Sequence, residues 1–212
     1  MDSEVRLFKP ADASAVRRIF LDTTDAGRPL DGRFPDADVL ADAWTRYYIE
    51  EEPESLWVAE RDAHVVGYLS GCLDERRFQA RMRRRIVPAL LVKGLFRGIW
   101  LKPLFWRLLW ANRSLAHAPD ERATIAQYPG HFHVNLADGY RRQGLGRSLI
   151  TQFLARAGQA GCRGVRAETG DGNASIHHLL ESLGFTRLHR APTFRWADDP
   201  LPRWKVTYAR AL

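Results

Sequence analysis

Tyr140-Arg141-Arg142-Gln143-Gly144-Leu145-Gly146-Arg147 decides how this chain is read. Just upstream, His131 to Leu136 alternates strictly. Phe132, Val134 and Leu136 take one face, and His131, His133 and Asn135 the other, which is the period of a strand. Downstream, Leu145, Leu149, Phe153, Leu154 and Ala157 recur at helical spacing over 144–160, and Gly161 closes the helix. A strand therefore feeds a Gly- and Arg-rich turn that opens a helix. The first helical turn leaves N–H groups unpaired, and the peptide dipoles add partial positive charge there. Gly144 and Gly146 carry no side chain, so an anion can approach the backbone. Arg141, Arg142 and Arg147 add positive charge. The turn suits a phosphate or pyrophosphate; the alternative is an ordinary strand-to-helix turn with surface arginines. Two familiar nucleotide loops are missing. No Gly-x-x-x-x-Gly-Lys-Ser/Thr occurs, and Leu149 stands where Gly-x-Gly-x-x-Gly needs its third glycine.

Working outward, Gly164 to Thr169 reads as a strand and Asn173 as the cap of a helix that runs to Leu183, with Gly184 at its end. Phe185–His189 and Trp204–Tyr208 complete the chain as strands. Toward the N-terminus, His64–Leu73 and Ser55–Glu60 form a hairpin across a tight Arg61-Asp62 turn. Before it, Ala37–Glu51 is a helix with Val39, Leu40, Trp44 and Tyr47 or Tyr48 inward. Residues 23–37 are loop. Ala15, Val16, Ile19 and Phe20 mark a first helix capped by Asp12, and Val5–Phe8 is a first strand. The order β-α-α-β-β-insertion-β-α-β-α-β-β predicts an α/β (α+β) fold, a mixed sheet with helices on both faces.

The whole chain has 212 residues, which suits one domain with an insertion at about 74–128. Its net charge of +7 is unevenly spread. Of 32 Lys and Arg, eleven lie between Arg76 and Arg113, where no Asp or Glu stands; the rest, 21 cations against 25 carboxylates, is slightly acidic. Two cysteines, Cys72 and Cys162, exclude a disulfide scaffold and a Cys-rich zinc site, and no metal site is expected. They fit a reducing compartment. The N-terminus MDSEVRLFKP has no secretory core, so a cytoplasmic location is expected.

The turn Arg141-Arg142-Gln143-Gly144-Leu145-Gly146 resembles the acyl-CoA turn Arg/Gln-x-x-Gly-x-Gly/Ala of the GCN5-related N-acetyltransferases. Glu168, Asn173 and Leu183-Gly184-Phe185 resemble a second motif of that family, in the expected order. The resemblance runs from residue 5 to the end, apart from the insertion. The hairpin 64–71, the insertion and Tyr128-Pro129-Gly130-His131 also resemble a narrower group, bacterial proteins similar to the acetyltransferase-like domain of O-GlcNAcase.

The family resemblance implies a sheet, mostly antiparallel, with two splayed parallel strands, here 131–136 and 164–169. It implies acetyl-CoA as co-substrate and direct attack by an amine acceptor, with no acyl-enzyme. Val134 and Leu136 would pair with the pantetheine arm, Arg141, Arg142, Gln143, Gly144, Leu145, Gly146 and Arg147 would hold the pyrophosphate, and Asn173 would contact the cofactor. The family's usual general acid, a Tyr seven residues after the Asn, is replaced by Leu180. His133, His177 and Glu60 are the candidate substitutes for proton transfer. A non-catalytic acetyl-CoA-binding module is the alternative that Leu180 leaves open.

The insertion holds two kinds of sequence. Arg76–Arg85 is mainly charge, whereas 86–110 is apolar with Trp100, Trp106 and Trp110 and spaced cations. It reads as a helical lid near the acceptor side, packed on the domain or on a second copy as a homodimer, or as a peripheral membrane contact through residues 86–110. Nucleic acid fits the charge but no recognisable motif.

Overall fold

The computed structural model describes residues 3–25, 27–113 and 119–212; residues 114–118 of the expected insertion lie outside the described residues. The strands are β1 (Ser3–Leu7), β2 (Leu56–Arg61), β3 (His64–Cys72), β4 (Gly130–Leu136), β5 (Gly164–Gly170), β6 (Thr186–Thr193) and β7 (Arg203–Ala211). The helices are α1 (Ala13–Thr23), α2 (Ala37–Glu50), α3 (Glu75–Arg81), α4 (Val87–Phe96), α5 (Pro103–Ala111), α6 (Pro119–Gln127), α7 (Leu145–Gln159) and α8 (Ala174–Ser182). All seven strands join one sheet in the order β1-β2-β3-β4-β5-β7-β6. Every neighbouring pair is antiparallel except β4 with β5.

Each face of the sheet has its own core. On one, Leu149, Ile150 and Phe153 of α7 and Leu180 of α8 pack with Leu69, Phe132 and Val165. On the other, Val16 and Ile19 of α1 and Tyr47 and Tyr48 of α2 pack with Leu56, Val58 and Tyr68. The alternation of β4 supplies both: Phe132 joins the α7 side, and His131 meets Tyr48 and Phe78 on the other. A methyl group at Gly71 would come within 2.1 Å of the Phe153 ring, so glycine is what lets α7 lie this close to β3.

The fork that defines the site arises from pairing preferences within the sheet. β4 stays with β3 over its whole length, His131↔Cys72 to Leu136↔Gly67, and β5 stays with β7 from Gly164 to Gly170. Between them only Gly130–Phe132 and Val165–Ala167 pair; beyond that the two strands part.

Local expectations fail where a distant residue intervenes. Asp12 makes no side-chain cap for α1; its carboxylate accepts from Arg6 on β1 and from the Lys9 amide. Asp36 is the side-chain cap in this region, accepting from the Asp38 and Val39 amides at the start of α2. The hairpin turn falls on Asp62-Ala63, both with positive φ as two-residue hairpin loops require, not on Arg61-Asp62. β6 extends past its expected end and through Pro192, which an edge strand tolerates.

The described part of the insertion is helical, as expected, and packs against α2. Lys93 of α4 is 2.7 Å from Asp38 and also pairs with Asp42, and Arg97 reaches Asp38 at 3.3 Å. These ion pairs draw α4 onto the acidic outer side of α2. Asn112 then ties the end of α5 to the backbone of Arg195 in both directions, at 2.9 Å each.

Candidate active site

A cleft of about 1400 Å³ opens where β4 and β5 part. His133–Leu136 form one wall, Ala167–Gly170 the other, and the turn 141–147 closes one end. Among the described residues, none of 74–128 lines it.

The main-chain direction on β4 follows from its ladder. The Ala137 amide donates to Val66 at 2.9 Å, and antiparallel strands bond at every second residue. The backbones of Asn135, His133 and His131 therefore serve β3, and those of Phe132, Val134 and Leu136 point the other way. Phe132 still meets β5, opposite Ala167; Val134 and Leu136 have lost it. The Leu136 carbonyl accepts from Arg141 Nε at 3.2 Å, which leaves the Val134 edge facing the cleft. Such an edge can pair with an extended amide-bearing ligand as an added strand.

Gly144 sits at φ +85° as the N-cap of α7, and the first amide to bond within the helix is that of Ser148, to the Gly144 carbonyl. The amides of Leu145, Gly146 and Arg147 thus lie in the unpaired first turn. A Cβ at Gly144 would meet nothing within 4 Å, and one at Gly146 only Leu179 at 3.5 Å and Leu136 at 3.7 Å. Gly144, Gly146 and Arg147 line the cleft, and no protein atom crowds the Gly144 approach, the condition for an anion to reach this turn. Arg142 stands exposed at the lip with a left-handed φ of 62°.

Three residues of the turn have further partners. Arg141 reaches across to the Gly27 carbonyl at 2.7 Å, so it ties the loop before α2 to the mouth of the cleft. Gln143 holds the Gly139 carbonyl at 2.7 Å and also accepts from Arg61. Arg147 donates to the Ser182 hydroxyl at 2.6 Å. Asn173 lines the cleft, and α8 starts on its backbone carbonyl, with no side-chain cap bond.

The three candidates for proton transfer are not brought together. His133 lines the cleft, with Trp44 edge-on at 5.6 Å between ring centres. Burial, with His131 and Arg166 nearby, pushes its imidazole down to about 3, so it is neutral at physiological pH. His177 lies outside the lining, its Nδ1 3.0 Å from the Tyr208 hydroxyl and its Nε2 3.1 Å from the Asp171 carbonyl. Glu60 also lies outside it, because Arg6 on β1 takes its carboxylate at 2.5 Å. Leu180, at the position of the family's Tyr, is fully buried beneath the cleft.

Trp44 was expected inward and is instead half exposed. It lies at the edge of the α2 core stripe, where the cleft, not the sheet, is opposite. With Phe20, which it stacks on at 6.0 Å, and with Tyr68, it gives one half of the cleft an aromatic wall. Thr23 and Asn135 fix the corner of this wall through a 2.8 Å hydrogen bond. The sequence marks none of these as site residues; its one signal is a Trp at the margin of an otherwise aliphatic and tyrosine stripe.

A forked mixed sheet with an open strand edge and an open helix N-terminus at the fork is the architecture of an acyl-CoA-dependent acyltransferase. The family model described as acetyltransferase (GNAT) family matches residues 14–185, and the chain belongs to that family. By that membership it is an N-acetyltransferase-type acyltransferase with acetyl-CoA as co-substrate. Among solved structures, SsHAT aligns over 100% of this chain and 98% of its own, at 25% identity and a TM-score of 0.73. The yncA protein of Salmonella typhimurium, described with its cofactor acetyl-CoA, aligns over 100% and 95% at 17% identity and 0.59. The ribosomal-protein-alanine N-acetyltransferase of Brucella melitensis aligns over 99% of both chains at 18% identity and 0.58.

Proposed function

We propose that this protein transfers the acetyl group of acetyl-CoA directly to a primary amine carried on an aromatic or apolar stem. The whole chain, 1–212, acts as one such domain with 74–128 inserted. One observation carries the reading: β4 and β5 part after Phe132 and Ala167, directly in front of the open first turn of α7.

Acetyl-CoA supplies the activated acetyl thioester. The amides of Leu145, Gly146 and Arg147, with Arg142 at the lip, hold the pyrophosphate, and Gly144 keeps the approach clear. Gln143 shapes the turn through Gly139, and Arg141 acts less on phosphate than on the loop it pins at Gly27. The Val134 edge orients the pantetheine arm, and Leu136 ends that edge on Arg141. Asn173 bounds the far side of the cleft.

Direct transfer is supported by where the thiols lie. Cys72 is buried in the core, where burial and Glu52 push its pKa up, and Cys162 donates to the Gly164 carbonyl at 3.3 Å. Neither lines the cleft.

The acceptor enters on the side of Phe20, Trp44 and Tyr68. Among the described residues lining that half there is no carboxylate; Asp138 and Glu168 stand on the fork side, and Glu168 is held by Lys205 at 2.8 Å. An ammonium ion finds aromatic faces there but no counter-charge, so an apolar stem contributes the binding. Desolvation favours loss of the amine proton. His133, neutral and facing the same space, accepts a hydrogen bond from the amine nitrogen and aims its lone pair. As the C–N bond forms, the thioester C–S bond breaks, and the proton released by the nitrogen is taken up by the departing CoA thiolate, which leaves as the thiol.

Calorimetry with acetyl-CoA, followed by thiol release with phenethylamine and spermidine, tests the reading. Micromolar acetyl-CoA binding and a kcat/KM about tenfold or more in favour of phenethylamine are expected. Absence of acetyl-CoA binding defeats the whole reading; preference for spermidine defeats the acceptor class alone.

A further inference from the structure

Helix α4 is amphipathic in reverse. A helix on the surface of a protein in water turns its charges outward and its apolar stripe to the core. In α4 the arc facing α2 contains Lys93, with Arg97 just beyond the helix end, bound to Asp36, Asp38 and Asp42. Although burial pulls the Lys93 pKa down, Asp38 and Asp42 hold it above its ordinary value, so it stays charged on this inner side. The opposite arc, Val87, Leu91, Val92, Leu95 and Phe96, is exposed and contains no polar side chain. Phe96 is 86% exposed and Leu95 66%. Next to it Leu101, also 86% exposed, and Trp106, Leu109 and Trp110 of α5 are exposed too. Scattered apolar residues on a surface need no explanation, but a whole helical arc with two neighbouring tryptophans does.

The charge around this face narrows the choice of occupant. No carboxylate stands between Arg76 and Arg113. Arg83, Arg84 and Arg107 are exposed and make no ion pair among the described residues, and Arg113 lies over the Trp110 ring at 4.1 Å. In a two-fold contact between copies, this cationic surface would face its own equivalent, and like charges would oppose each other. An anionic bilayer offers the complement on both counts: acyl chains for Leu95 and Phe96, the interfacial zone for tryptophan, and headgroup charge for arginine. None of the described helices is long and apolar enough to cross a membrane, which fits a face that lies on one.

We propose that the outward face of α4 and α5 docks on an anionic lipid bilayer. The cleft lies on the other side of α2 from this face, so a docked protein keeps its cleft open.

The test uses the full chain with vesicles of phosphatidylcholine alone or mixed with phosphatidylglycerol. Co-sedimentation should be about a hundredfold stronger with the anionic lipid, since each of three arginines adds roughly fivefold, and should fall at high salt. Two variants should each lose it: Leu95→Asp with Phe96→Asp, and Arg83→Glu with Arg84→Glu and Arg107→Glu. All five positions are exposed, so acetyl-CoA affinity and melting temperature should match wild type. Equal binding to neutral vesicles, or binding to neither, overturns the proposal. So does a concentration-dependent dimer in sedimentation velocity that Leu95→Asp with Phe96→Asp dissolves, because the face then joins two copies.

Discussion

Oε2 of Glu75 stands 2.8 Å from Nδ1 of His131, and Arg166 reaches the same oxygen at 2.6 Å. Glu75 opens the insertion, His131 is on the central strand β4, and Arg166 is on β5. The three are buried, with the Tyr48 hydroxyl 2.9 Å from Nε2 of His131. Burial alone would raise the Glu75 carboxyl, but His131 and Arg166 hold it down at about 2. Removing one member of a buried charged set leaves the others uncompensated. Glu75→Ala should therefore cost about 3–5 kcal/mol of stability at neutral pH, measured by urea unfolding. The depressed carboxyl also sets a pH window. Its contribution is full above its ordinary value of 4.5 and is lost as pH falls toward 2. In Glu75→Gln the acid limb of stability below pH 4.5 should flatten; an unchanged limb would assign acid unfolding to other groups.

His133 titrates in the same direction. Its folded-state value of about 3 lies below the ordinary 6.5, so its stabilisation is present above pH 6.5 and lost between there and pH 3. Kinetically, a neutral imidazole leaves no ionisation of its own near neutrality. The kcat/KM profile between pH 5 and 8 should rise only with deprotonation of the amine. His133→Ala should lower kcat about 10- to 100-fold and keep that shape. A wild-type limb centred near 6.5 that disappears in His133→Ala would make the imidazole a titrating base instead.

The pyrophosphate turn yields a clean pair of variants at Gly146. A Cβ there meets ordinary contacts only, so Gly146→Ala should keep both fold and acetyl-CoA affinity within a few-fold. Gly146→Glu places bulk and a negative charge on the open amides and should weaken acetyl-CoA binding by about a hundredfold or more. Calorimetry reads the affinity, and circular dichroism checks the fold. Gly144 is the poorer probe, since its φ of +85° adds backbone strain to any substitution. Equal affinity in Gly146→Glu and wild type would move the pyrophosphate elsewhere.

What the sequence made legible is what local periodicity controls. The alternation of 131–136 and the helical spacing of 145–157 placed β4 and α7; the fork between β4 and β5 was implied only by the family resemblance that the turn carries. Long-range charge pairing was not legible. Arg6 removes Asp12 from its helix cap and Glu60 from the cleft. In the sequence Lys93 and Arg97 are only spaced cations in an apolar stretch; α2, more than fifty residues away, supplies Asp38 and Asp42 and so decides which way they face. Trp44 was misplaced for a related reason: helical spacing identifies a stripe but not which of its edges faces a cavity.

Trp44 is also where the acceptor reading is most exposed to test. Its ring stacks on Phe20 and meets His133 edge-on, yet the residue is about half exposed and lines the cleft. Truncation therefore removes contact with a bound amine more than support for the core. Trp44→Ala should raise KM for phenethylamine about tenfold, the loss expected for roughly 1–2 kcal/mol of apolar and cation–π contact. The acetyl-CoA dissociation constant should stay within twofold, because the turn and the β4 edge are untouched. Trp44→Phe should recover most of the loss, since a smaller aromatic face remains over the same space. The pattern separates two roles. A binding wall moves KM and spares kcat, whereas a residue that only props His133 would lower kcat at unchanged KM, and Trp44→Phe would restore the rate and not the affinity.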